Sequence, residues 1–276
     1  MKSGFFSRYI HNKPTFKQLS NFFLSMTIID ACLLIIAGLF AGFINTLAGS
    51  GSLITLPLLM FLGLSPHQAN ATNRIAIFFQ NAVAVRNFKQ QKLINGKSSL
   101  YMLLPALIGA LIGASLAIKV NEEVLNFFIG SLLAVMFFVI LLKPDKWVKA
   151  QAGQVHEKPT FWQIVIFFFI GVYGGFIQAG VGFFLLAGLV LGVGYDLIKA
   201  NAIKVLIVLS YTTVALILFI WSGQVNFLYG LVLAVGNASG AFIASKYAQK
   251  IGVKYIRYIL LATVLMASLK VFGVLL

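Results

Sequence analysis

Eight stretches of this chain are apolar over about the 20 residues that a helix needs to cross a bilayer. They run near Thr27 to Leu47, Ala69 to Val85, Ser98 to Ile118, Val124 to Leu142, Phe161 to Gln178, Ala200 to Trp221, Phe227 to Ala244 and Tyr258 to Leu276. In lipid every backbone N–H and C=O must find its partner inside the protein, which leaves helices or a closed barrel. The lengths are those of helices, so the expected fold is an all-α, polytopic transmembrane helical bundle with eight clear transmembrane helices. With 60% hydrophobic residues and only six acids, the chain lacks the charge that a soluble domain's surface requires. Its net charge of +15 does not read as a nucleic-acid interface, which needs a basic face on a soluble domain. The basic residues instead fall in short gaps between apolar runs, where positive-inside topology accounts for them. Cys32 is the single cysteine, and the only histidines are His11, His67 and His156, so no metal site and no cofactor is expected.

Two further apolar segments, Leu53 to Leu64 and Phe183 to Val193, are too short for an ordinary crossing. They belong to a repeat. Ala48, Gly49, Gly51, Leu58, Gly63, Ala69, Asn70 and Ala71 align without a gap to Ala179, Gly180, Gly182, Leu189, Gly194, Ala200, Asn201 and Ala202. Glycine-interrupted segments at matching places in two halves point to a transporter binding site at the repeat interface. The organisation read from this is an N-terminal basic tail (1–26), a first repeat (27–142), a cytoplasmic linker (143–159) and a second repeat (160–276).

Loop charges orient the halves. Arg86, Lys89, Lys92 and Lys97 form one acid-free gap, and Lys246, Lys250, Lys254 and Arg257 form another. The linker carries four lysines against Asp145 and Glu157; these three gaps read as cytoplasmic. The gap at Lys119, Glu122 and Glu123 and the uncharged Ser222–Asn226 read as external. Equivalent gaps after Ala69–Val85 and Ala200–Trp221 thus fall on opposite sides, so the repeats are inverted. Five crossings per half, up to ten in all, satisfy these gaps and place both termini outside. The basic N-terminal tail disagrees with that. Either it is an exception, an interfacial amphipathic stretch from Phe5 to Phe23, or the first short segment is re-entrant and the first half has an even count; the odd count is the reading preferred.

The repeat also carries polar chemistry. Glycines 49, 51, 180 and 182 allow positive φ and close backbone approach to a ligand, or close helix packing. Gly38, Gly42, Gly171, Gly174 and Gly175 are expected to serve packing. Ser65-Pro66 and Asp196 form helix-start patterns. They put Asn70, Asn73 and Arg74 in the early turns of one helix, and Asn201 and Lys204 in the early turns of its counterpart. Amides, freed N–H groups and helix N-termini favour an anion, and a cation on each wall would add to them. The candidate substrate-binding residues are therefore Asn45, Gly49, Gly51, Asn70, Asn73, Arg74, Gln178, Gly180, Gly182, Asn201 and Lys204, with no catalytic residue. Snorkelling of the two cations and interhelical bonding by Asn45 and Gln178 are the competing readings. Among the acids within apolar segments, only Asp30 and Asp196 could relay a proton; otherwise the membrane potential alone would drive an anion outward.

At these residues the chain resembles the sulfite exporter family of the TauE/SafE type, also described as toluene-sulfonate uptake permeases. The resemblance covers nearly everything from Ile28 onward. It is carried by Gly42-Phe-Ile-Asn-Thr-Leu-Ala-Gly-Ser-Gly51, by Leu62-Gly-Leu-Ser-Pro66 with Ala69-Asn-Ala-Thr-Asn73, and by Gly174-Gly-Phe176, Ala179-Gly-Val-Gly182 and Ala200-Asn-Ala-Ile-Lys204. The chain departs from the family pattern at Ser52 and Phe183, where a further glycine is common. The resemblance implies a multi-pass carrier of the bacterial inner membrane with duplicated halves, moving sulfite, sulfonates or related organosulfur anions. Expected partners are that small anion and the lipid bilayer, with a homo-oligomer possible and no nucleic acid. The alternative is a membrane scaffold or partner subunit without transport of its own.

Overall fold

The structure is a computed structural model that describes residues 26–94, 96–141 and 160–247. Most of the expected tail, the 143–159 linker and the apolar segment Tyr258–Leu276 lie outside the described residues. Within them the chain is helical throughout, with no strand. The helices are α1 (Ile28–Ala48), α2 (Ser52–Phe61), α3 (Pro66–Gln90), α4 (Gly96–Lys119), α5 (Glu122–Leu141), α6 (Phe161–Phe176), α7 (Val181–Ala187), α8 (Leu197–Trp221) and α9 (Phe227–Tyr247). A π-helical turn, Gly188–Gly192, continues α7.

Local sequence explains where they start. The Thr27 hydroxyl accepts the Asp30 N–H, and the Asp30 carboxylate accepts the Thr27 N–H, closing a capping box on α1. Ser65 and Gln68 do the same for α3, with Pro66 as its first residue, and Thr160 and Gln163 for α6. Asp196 caps α8 by accepting from the N–H groups of Ile198 and Lys199. Ser65 and Asp196 are thus caps, as their positions in the sequence predict. Asp30 is bound into a cap as well, at the exposed start of α1 rather than along a path through the bundle.

The ends are set by glycine. α1 stops where Gly49 takes φ +78°, and Gly180, at φ +72°, precedes α7. After each half-helix a second left-handed glycine follows, Gly63 and Gly194, fourteen residues on in both cases. The ten residues of α2 rise only about 15 Å, roughly half the hydrocarbon thickness.

Helices pair across the sequence rather than along it. α1 packs on α9 and α4 on α6, with α3 and α8 enclosed between these pairs. Both outer pairs are zipped by glycines four residues apart. A Cβ at Gly38 or Gly42 would strike the backbone of α9, and one at Gly171 or Gly175 would strike that of α4. Gly236 and Gly240 answer from α9, and Gly109 and Gly113 from α4. This is the small-residue packing expected between membrane helices, where lipid offers no hydrophobic drive to associate.

Large apolar side chains cover the outside. Ile28, Phe127, Phe169 and Val235 are all more than half exposed. An apolar surface of that extent suits lipid, not water. By length and composition, α1, α4 from Tyr101 onward, α8 and α9 are able to cross a membrane. α3 is longer than most of these but polar, since Asn70, Asn73, Arg74, Gln80 and Asn81 are all buried on it. Other helices shield it, so it has no need of the apolar composition that contact with lipid demands. α6 is shorter than expected, 16 residues, because its last turn gives way to the break at Ile177–Gly180.

Candidate functional site

The two glycine breaks touch. A Cβ built on Gly49 would overlap the backbone of Gly182, and one on Gly182 would overlap Gly49. The sequence suggests positive φ at all four glycines, and the structure corrects this for two. Gly51 is right-handed at φ −60°, and Gly182 is not among the left-handed residues. Gly51 is small because the Ala41 carbonyl and the Asn45 Cβ lie against it, and Gly182 because Gly49 does. Both serve close approach of chain to chain. At the breaks, Gln178 is left-handed as well, at φ +69°, which its residue type does not betray.

The two cations are exchanged between halves. Arg74, on α3 and without solvent exposure, reaches the C-terminal end of α6. Its Nη1 donates to the Gly174 carbonyl at 3.1 Å and to Gln178 Oε1 at 3.0 Å, and its Nη2 donates to the Gly175 carbonyl at 2.6 Å. Asn70 supports it by donating to the Phe176 carbonyl at 2.7 Å, and the guanidinium lies over the Phe219 ring at 4.6 Å. Lys204, on α8, does the same to α1. Its Nζ donates to the Asn45 and Thr46 carbonyls, both at 3.0 Å, and to Asn201 Oδ1 at 2.7 Å. Each cation thus caps the negative end of the helix that precedes the other half's break.

Every oxygen that accepts from either cation is neutral. A helix C-terminus carries the equivalent of about half a negative charge, so each site keeps a positive remainder. Buried ionisable groups in such a setting mark functional paths more often than scaffolding.

A small polar cavity, about 10 Å³, lies where the half-helices begin. Ser52, the first residue of α2, and Val181 and Gly182, which open α7, line it together with Asn45, Asn81, Gln178, Lys204 and Val208. Its volume is on the scale of one water centre, ~10–15 Å³. Of the residues singled out in the sequence, the structure gathers Asn45, Gln178, Gly182 and Lys204 at this cavity. Gly49, Gly51, Asn70, Arg74, Gly180 and Asn201 stand behind it, as backbone or as partners of the lining groups. Asn73 faces elsewhere, accepting from the Thr55 hydroxyl of α2 at 2.7 Å. The single wall expected from α3 is therefore divided, with Asn70 and Arg74 toward α6 and Asn73 toward α2.

Ser52 and Asn81 line the cavity although neither is among the candidate site residues read from the sequence. Asn81 follows Asn70 by eleven residues, three helical turns, so the shared face was legible from spacing. Ser52 stands out in the sequence only as the first residue after the glycine break and as a departure from the family's further glycine.

Comparison with known proteins bears on the family. The family described as "Sulfite exporter TauE/SafE" matches residues 34–271. A "Probable membrane transporter protein ORF9" from Sinorhizobium sp is 31% identical over 227 residues, 82% of this chain and 86% of that protein. A "Probable membrane transporter protein YfcA" from Escherichia coli K12 is 29% identical over 224 residues, 81% of this chain and 82% of its own length. A "Probable membrane transporter protein YunE" from Bacillus subtilis is 24% identical and is covered over 90% of its length. A helical, multi-pass protein of the bacterial membrane, this chain belongs to the sulfite exporter TauE/SafE family of membrane transporters.

Proposed function

We propose that the protein is a secondary carrier for a small anion, most simply sulfite, a sulfonate or a related organosulfur anion, and that it is not an enzyme. The observation that carries this reading is Lys204. Its ammonium lines a cavity at the start of two half-helices, and only neutral oxygens accept from it. The first-turn N–H groups of Leu53, Ile54, Val181 and Phe183 are already bonded to the Ser50, Gly51, Gln178 and Gly180 carbonyls, so what the two helix N-termini offer an anion is the positive end of their dipoles. A cation and two such helix ends around one cavity form an anion site. The family name and the relatives' names point the same way.

In this reading residues 27–142 and 160–276 are two inverted repeats joined by the cytoplasmic linker 143–159. They contribute eight full spans and two half-helices, up to ten crossings in all. The α1–α9 and α4–α6 pairs, each drawn from both halves, would move as units, and rocking one against the other would open the cavity to either side in turn. The cavity's small volume fits a closed state, from which substrate entry requires such a movement. Because Asp30 and Asp196 are engaged in helix caps, an anion leaving the cell down the membrane potential needs no proton relay.

The test is flux in proteoliposomes with an imposed potential and no pH gradient. Sulfite efflux is expected in the wild type and is expected to be lost in Lys204→Ala, with the variant inserted and folded. Unchanged flux in Lys204→Ala would remove the anion site from this cavity.

A further inference from the structure

Gln178 holds a conformation that glycine would adopt without strain. Its φ of +69° matches those of Gly49 and Gly180, yet a long side chain occupies the position and only 2% of it is exposed. A non-glycine residue stays left-handed only where its surroundings over-determine it. Here the side-chain amide does so: Oε1 accepts from Arg74 Nη1 at 3.0 Å, and Nε2 donates to the Thr212 hydroxyl at 2.8 Å. The aligned position in the first half is Leu47, which has no amide to offer.

The location makes this arrangement informative. Gln178 lines the cavity beside Lys204, whereas Arg74 does not reach it. The amide therefore stands between the cavity and the second cation. Arg74 Nε is buried without a partner among the described residues, so the guanidinium keeps one donor that none of them uses. A cavity of about 10 Å³ cannot hold an oxoanion until a lining side chain yields. Asn81 donates to the Ile77 carbonyl of its own helix, and neither cation donates to the side chain of Asn81, Ser52 or Asn45. Gln178 is the lining side chain whose contact with a cation an anion oxygen can replace directly.

We propose that Gln178 is a specificity-determining residue whose amide oxygen stands in for the substrate, and that a small oxoanion displaces it from Arg74 and is then held between Arg74 and Lys204. This rests on the anion-carrier reading and adds its second cation, its gate and a size limit. A charged oxygen bonds a guanidinium more strongly than a neutral amide oxygen does, so exchange is favourable for an anion and unfavourable for a neutral solute. The ligand class is a compact oxoanion with at least two charge-bearing oxygens, one for each cation. The asymmetry of the repeat follows: with leucine at the corresponding place, only the second break carries such a gate.

The experiment compares sulfite binding to purified wild type, Gln178→Glu, Gln178→Gly and Lys204→Ala, with flux KM measured alongside. Gln178→Glu keeps the shape and puts a permanent carboxylate on Arg74. Affinity for sulfite is expected to fall about tenfold or more, the scale of a charge-assisted bond against a neutral one, with no loss of thermal stability. Gln178→Gly keeps the backbone geometry and removes the stand-in. It is expected to bind sulfite more tightly, to show a lower KM and to accept larger sulfonates than the wild type. Wild-type affinity in Gln178→Glu, while Lys204→Ala loses binding, would overturn the gate and leave the carrier reading standing. Wild-type affinity in Lys204→Ala would instead overturn the anion site, and the gate with it.

Discussion

Arg74 offers the sharpest test of how the two halves are joined. Three close hydrogen bonds leave its guanidinium, two to carbonyls at the end of α6 and one to Gln178, and they are shared between two nitrogens. Lysine keeps the charge but presents its donors from one atom, so it cannot span the same set of acceptors. Arg74→Lys should lose at least one charge-assisted bond, about 1.5–3 kcal/mol. Arg74→Met removes all three and strands the carbonyls, at about 1–3 kcal/mol for each buried acceptor left unsatisfied, a cost partly offset because a buried charge is removed with it. At roughly 2–4 °C per kcal/mol for a chain of this size, the lysine variant should melt about 3–12 °C below the wild type. The assay is thermal unfolding of the detergent-purified protein, followed by the near-ultraviolet signal of Trp221 and the other tryptophans. A wild-type midpoint for both variants would show that the guanidinium does not tie α3 to α6, and the reciprocal capping would have to be given up.

Other outcomes are equally open to measurement. Gly49→Ala forces an alanine into φ +78° and its methyl group into the Gly182 backbone, so expression and melting temperature should drop, with overpacking alone worth about 1–3 kcal/mol; a well-folded variant would show that the breaks do not touch. Asp196→Ala should cost about 1 kcal/mol as a lost N-cap while leaving flux per folded molecule intact, and Asp30→Ala should do likewise; flux abolished in either one would reinstate a proton route through it. Thr55→Val strands Asn73 Oδ1 in a buried setting, about 1–3 kcal/mol, and should lower stability without changing sulfite affinity. An altered affinity would place Asn73 in the substrate path.

What the sequence made legible was local. Ser65-Pro66 and Asp196 announced helix starts, because capping depends on residues within one turn. Gly49 and Gly180 announced breaks, because only the immediate backbone decides a left-handed turn. The site's wiring was out of reach. Arg74 meets residues one hundred positions later and Lys204 meets Asn45 across an even longer gap, and no periodicity encodes such pairings. Gly51 and Gly182 were misread for the same reason, since the atoms that require their missing side chains lie on other helices. Gln178 was noticed as an amide donor, but its left-handed backbone could not be read from a residue type that rarely adopts it. α3 shows the limit of counting apolar stretches: Ala69–Val85 reads as one of the eight apolar spans, yet the helix carries buried Asn70, Asn73, Arg74, Gln80 and Asn81, and only the contacts of its neighbours show that it is a sheltered, polar centre of the bundle.

The most direct measurement is anion-induced stabilisation of the purified protein, wild type against Lys204→Ala. A ligand that binds only the folded state stabilises it by RT ln(1 + [L]/Kd), about 2.7 kcal/mol at one hundred times Kd. Sulfite should raise the wild-type midpoint in a saturable way, and chloride at equal ionic strength should not. Lys204→Ala, folded, should show no sulfite-dependent rise. The same rise in both proteins, or none in the wild type with any small oxoanion, would contradict an anion site at the meeting point of the two half-helices.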